Sequence, residues 1–190
     1  MDDTFIGARA VYDAALFESA EILHRARFSE QSYKDLTEFK SLLNEIIHSL
    51  RPEFAVDPAI LDATVYIAAK NLGLDYRDIS VQQAITRVQQ VQTVDTPKLF
   101  SGAIETIDLF NRTGLPTVLL THGRREWTQF KQVKCGLVGK FARVICLDIY
   151  RSKSEQWEEK PAELNTDPSN ILSIGDNLHG DIIPPVSKGA

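Results

Sequence analysis

The chain has 190 residues, 43% of them hydrophobic and 25% charged. That length suits one domain of ordinary size, or a core with a smaller companion, and it buries enough apolar surface to need no disulfide staples. A formal net charge of −5 argues against general affinity for nucleic acid or anionic membranes, and no apolar run reaches the roughly 18 residues of a membrane helix. The start, Met1-Asp2-Asp3-Thr4, is acidic and lacks the basic and apolar regions of a signal peptide. Cys135 and Cys146 have neither metal-site nor redox spacing and read as free thiols. The expectation is a cytoplasmic protein.

In chain order, a helical pattern runs from about Gly7 to Phe28, through Val11, Ala14, Ala15, Leu16, Ala20, Leu23 and Ala26. Ser32 with Asp35 forms a capping-box pattern for a second helix, whose stripe runs from Tyr33 to Leu50 and which Pro52 is expected to stop. Asp57-Pro58 starts a third, which buries Ile60, Leu61, Val65 and Ala68 and ends at Gly73. A fourth starts near Ser80, with Gln83 at the box position. Residues 8–92 thus read as four helices that bury their stripes against one another.

The character changes across 93–97, after which helices and strands alternate. Ser101 is expected to cap a helix that Gly114 ends; residues 116–121 form a strand, 124–135 a helix ended by Gly136, and 144–147 a second strand. Residues 154–164 read as one helix and Ile171–Ile174 as a third strand. From His179 another helix starts, limited by Pro184-Pro185 unless it begins earlier and bends. Such alternation predicts an α/β fold with right-handed crossovers and a parallel sheet covered on both faces.

In a parallel sheet all strand ends face one crevice. The first strand ends at Thr121, followed by His122-Gly123; the second leads to Asp148 and Lys153; the third leads through Gly175 to Asp176. A hydroxyl beside backbone N–H groups, an ammonium and a carboxylate fit a phosphate site with Mg2+. Taken singly, each has a plainer reading: Thr121 as a helix cap, Lys153 as a solvated loop lysine, Asp176 as a turn residue after glycine. His122 and His179 fit no zinc pattern. Their joint order and spacing favour the site.

Val118-Leu119-Leu120-Thr121-His122-Gly123, Lys153, and Ser173-Ile174-Gly175-Asp176-Asn177-Leu178-His179-Gly180-Asp181 resemble the second, third and fourth motifs of the haloacid dehalogenase-like (HAD) hydrolase superfamily. Ser101-Gly102-Ala103-Ile104-Glu105 and Cys135-Gly136-Leu137-Val138-Gly139-Lys140-Phe141 look like the segments flanking the second motif. Lys160-Pro161 competes for the third motif; Lys153 is preferred because it follows a strand closely, whereas Lys160 would lie inside a helix. The resemblance implies a Rossmann-like three-layer parallel sheet core, incomplete in this chain and formed by residues 1–7 and 97–190, with a helical-bundle cap inserted over residues 8–96.

The resemblance further implies a Mg2+-dependent phosphatase acting on a small phosphate monoester through an aspartyl-phosphate. Asp2, Thr121 and Lys153 would be catalytic, Asp2 as the general acid/base; Thr121, His122, Gly123 and Lys153 would bind substrate; Asp2, Asp176 and Asp181 would serve the metal. Asp2-Asp3-Thr4-Phe5 matches the tail of the first motif, so the attacking Asp would fall one residue before Met1, and a helix-capping role for Asp2 and Asp3 competes. The expectation is a chain incomplete at both ends and inactive as given. Two alternatives stand beside it: a haloacid dehalogenase, which needs no metal and resembles this family without the acid/base Asp, and a non-catalytic binding protein. The expected partner is a small phosphorylated substrate, with neither nucleic acid nor membrane.

Overall fold

The computed structural model describes residues 4–27, 33–54, 57–95 and 97–190. The fold is α/β, and it divides into two compact units: Met1–Gly7 with Lys98–Ala190, and Ala8–Pro97. Among the described residues no helix is long and apolar enough to cross a membrane.

The Ala8–Pro97 unit holds four helices: α1 (Ala8–Arg27), α2 (Tyr33–Phe54), α3 (Ala59–Asn71) and α4 (Ile79–Thr93). α1 packs against α4, and α3 against α2 and α4. Their apolar stripes supply the core, with Leu23, Val65, Val81, Val88 and Val91 almost fully buried. Ser19 is also fully buried; its hydroxyl faces the Ala15 carbonyl (2.8 Å) and the Ala84 carbonyl (2.9 Å), which fixes α1 against α4 without an orphaned polar group. Asp57 starts α3 as expected, its carboxylate accepting from the Ala59 N–H at 3.0 Å. Two details depart from the sequence reading, and a third is outside the described residues. α2 runs past Pro52 to Phe54. α4 starts at Ile79 with Asp78, not Ser80, in the capping position. The Ser32–Asp35 box lies outside the described residues.

The other unit opens with β1 (Ile6–Gly7), paired antiparallel to β2 (Lys98–Leu99) with Ile6 opposite Leu99. That pairing had no sequence signal, being two residues long on each side. Next come α5 (Ala103–Arg112), β3 (Val118–His122), α6 (Arg125–Lys134) and β4 (Arg143–Leu147). Gly102, in the left-handed region at φ 81°, takes the cap position of α5 in place of Ser101. β3 and β4 form a parallel ladder from Val118 opposite Arg143 to His122 opposite Leu147. Leu119, Thr121, Ile145 and Leu147 are buried while Val144 is exposed, so one face is covered more fully than the other.

Two expectations fail in the last forty residues. Residues 154–164 do not make one helix: α7 (Lys153–Trp157) and α8 (Lys160–Leu164) are separate. Pro161 has no N–H for the Trp157 carbonyl, and its ring would clash there, so the helix restarts with Pro161 in its first turn. Ile171–Ile174 is not a strand. Ile171 is extended (φ −104°, ψ 123°), yet no described segment pairs with this run. Among the described residues the parallel sheet therefore has two strands, not three. Beyond it, a π-helical turn at Leu178–Ile182 runs into α9 (Ile183–Ser187). That bend places Pro184 and Pro185 at the start of α9, where their missing N–H groups cost least.

Candidate active site

Because β3 and β4 are parallel, their C-terminal ends share one edge. Thr121 and His122 close β3 there, with Thr121 buried. Gly123 follows, before α6. On the neighbouring strand, Leu147 leads to Asp148 and then to α7, whose first residue is Lys153. Ser152 caps α7, accepting from the Glu155 N–H at 3.2 Å.

Lys153 meets the Gly175–Asp181 loop. Its ammonium forms an ion pair with Asp181; the side chains are only 19% and 11% exposed, so each neutralises a largely desolvated partner. The second Asp181 oxygen accepts from the Asn177 N–H at 3.2 Å. Asn177 starts the π turn, its side-chain oxygen accepting from the N–H groups of His179 and Gly180, both at 3.0 Å. α7 holds the other side of this turn: Trp157 Nε1 donates to the Gly180 carbonyl (3.2 Å) and Ser154 to the His179 carbonyl (3.3 Å). A π turn of this kind often marks a functional segment.

Gly175 is needed for space. A Cβ there would lie 2.4 Å from Asp181 Cβ and 2.5 Å from its carboxyl carbon, far inside contact distance. The glycine thus lets Asp181 lie against the backbone beneath Lys153.

Asp176 has a different environment. It is exposed, and its Oδ1 accepts from the Thr4 hydroxyl at 2.9 Å. The two carboxylates therefore divide their work: Asp181 serves Lys153, while Asp176 faces solvent. Mg2+ takes one or two carboxylates and completes its shell with water or phosphate oxygens. Asp176 fits that requirement. Asp181 has both oxygens engaged by protein donors, Lys153 and the Asn177 N–H. Among the described residues no three His, Cys, Asp or Glu side chains converge as a ready-made cage.

The structure thus joins Lys153 to Asp181, Thr4 to Asp176, and the Thr121 end of β3 to the end of β4. Among the described residues no hydrogen bond links Thr121 to Lys153 or Asp176. Asp2 lies outside the described residues. Lys160 begins α8, is nearly buried, and donates to Glu163 at 2.6 Å. Sequence reading missed Thr4 as a partner of Asp176 and Gln156 as a partner of Asp148. Thr4 lies in the matched motif and was available as a signal; a glutamine inside a short helix gives none.

The sequence matches the family described as haloacid dehalogenase-like hydrolase over residues 2–184. Among solved structures, a haloacid dehalogenase-like family hydrolase from Xanthomonas campestris is similar with a TM-score of 0.78 at 15% identity, over 100% of this chain and 76% of that one. A 2-haloacid dehalogenase from Pseudomonas syringae pv. Tomato gives 0.59 at 16% identity, over 100% and 80%. The magnesium-bound HAD-hydrolase YfnB from Bacillus subtilis gives 0.53 at 14% identity, over 100% and 82%. No curated protein sequence matches the chain.

Proposed function

The chain belongs to the haloacid dehalogenase-like hydrolase family, and from that membership we propose that its site takes a small phosphate monoester together with Mg2+. The observation that carries this reading is the division of labour between the two carboxylates. Lys153 is neutralised by Asp181, and Asp176 stays exposed beside Thr4, free for a cation that a metal-independent dehalogenase has no use for.

In this reading the Thr121 hydroxyl and the N–H groups around Gly123, at the start of α6, bind phosphoryl oxygens. The Lys153 ammonium adds a point charge to the same group. Asp176 holds Mg2+, which when bound neutralises charge on the phosphoryl oxygens. Asp2 gives a proton to the leaving alcohol and then takes one from water. The attacking carboxylate of the family's first motif stands two positions before the one that Asp2 matches.

The second reading is a 2-haloacid dehalogenase, favoured by the several solved neighbours described as such. Their identity to this chain, 14–16%, carries the fold and not the substrate. Calorimetric titration separates the two. We expect inorganic phosphate to bind only with Mg2+, and Asp176→Asn to weaken that binding at least tenfold. Binding of 2-chloropropionate without metal, and none of phosphate, would favour the dehalogenase. A chain carrying an apolar strand and Asp directly before Met1 is expected to hydrolyse phosphate esters. Turnover that persists with Asn in place of that Asp would contradict the assignment of the attacking group.

A further inference from the structure

Gln156 lies in α7 and is almost completely buried, 3% exposed. A buried primary amide carries two donors and an acceptor that all need partners. Here they converge on one short loop. Gln156 Oε1 accepts from the Asp148 N–H at 2.8 Å. Its Nε2 faces the carbonyls of Asp148 (2.9 Å), Arg151 (3.1 Å) and Ser152 (3.3 Å). The reciprocal pair with Asp148 imitates a peptide group, extending β4's hydrogen bonding one residue past Leu147. The other two carbonyls immediately precede Lys153.

The Asp148 carbonyl has a second partner. His122 Nε2 lies 2.9 Å from it. A carbonyl oxygen only accepts, so Nε2 donates in this contact. One carbonyl thus joins the end of β3, through His122, to Gln156 and the loop that delivers Lys153. We propose that Gln156 is a positioning residue: it fixes the ammonium-bearing first turn of α7 against the Thr121–His122 end of β3, acting through the Asp148–Ser152 loop. This deepens the phosphate-site reading and rests on it for the role of Lys153.

Two arms test it, and only one depends on that reading. On the wild-type chain, amide hydrogen exchange is expected to protect the Asp148 N–H to within tenfold of the ladder amides in β4. Exchange at the rate of an open loop would overturn the clamp whatever the site binds. In the second arm, inorganic phosphate with Mg2+ is titrated into wild type, Gln156→Met and Gln156→Glu, alongside their thermal midpoints. Gln156→Met keeps volume but loses every hydrogen bond, and should weaken phosphate binding more than tenfold in a chain that still unfolds cooperatively. Gln156→Glu confronts three carbonyls with an acceptor; protonation of the introduced carboxyl restores a donor. Its deficit relative to wild type at the same pH should therefore shrink as pH falls, which a simple loss of packing would not produce. Undiminished phosphate affinity in a folded variant would overturn the proposal. Absence of phosphate binding by wild type would instead overturn the function proposed above, leaving hydrogen exchange to judge the clamp.

Discussion

The sharpest constraint at the residue scale is Gly175. Its φ does not demand glycine; the space over its Cα does, because Asp181 occupies it. Gly175→Ala must push Asp181 aside, and Asp181 is the counter-ion of Lys153 and the acceptor for Asn177. Overpacking of this kind costs about 1–3 kcal/mol, with more where a largely buried ion pair is disturbed. Denaturant unfolding of Gly175→Ala should show a loss of that size, and Mg2+-dependent phosphate binding should weaken with it. A variant with wild-type stability and binding would mean that the Asp181 geometry is wrong. This residue was only half legible. A glycine between an apolar run and an aspartate reads as a turn former, and the sequence does not reveal that a carboxylate six positions on takes up its missing side chain. For Asp181, expected at the metal site, the sequence carries no sign of the two protein donors that engage its oxygens.

Helices were the most legible elements, because a 3.6-residue period records burial on one face without reference to a partner. α1, α3 and α6 end within about two residues of where their apolar stripes and glycines place them. Ladders are relational: β3 and β4 pair as their apolar runs predict, whereas Ile171–Ile174 joins no ladder among the described residues. Between helices, one contact is pH-sensitive. Asp62 of α3 accepts from Gln89 of α4 at 2.9 Å, its other oxygen is buried without a partner, and burial pushes its carboxyl above the usual value of 3.8 despite the glutamine. A raised carboxyl favours the protonated folded state. Its contribution to stability is therefore full below the unfolded value and is lost as pH rises through the folded one. Asp62→Leu removes this dependence, and exposed Gln89 then turns to water. The thermal midpoint of wild type, measured relative to Asp62→Leu, should fall as pH rises from acid to neutrality. A constant difference would contradict the burial.

For the molecule as a whole, the unpaired run has a physical consequence. Leu172 is 75% exposed and Ile174 55%, while the alternate residues Ile171 and Ser173 are half-buried. That alternation is the signature of an extended segment with one apolar face in water. Its backbone has no ladder, and the Ser173 hydroxyl, donating to the Asp181 carbonyl at 2.6 Å, ties the same segment to the loop that pairs with Lys153. Apolar side chains at period two beside unpaired backbone are the features that recruit another chain. The protein is therefore expected to self-associate as its concentration rises, despite a net charge of −5 that opposes approach. Light scattering over a concentration series should show wild type growing in mass, with the double variant Leu172→Ser, Ile174→Ser remaining smaller at every point. Both substitutions touch exposed side chains, so the Lys153–Asp181 pair and Mg2+-dependent phosphate binding should persist. A wild-type chain of constant mass would mean that this face is covered in solution by a part of the same molecule, and hydrogen exchange at Leu172 and Ile174 would then be slow.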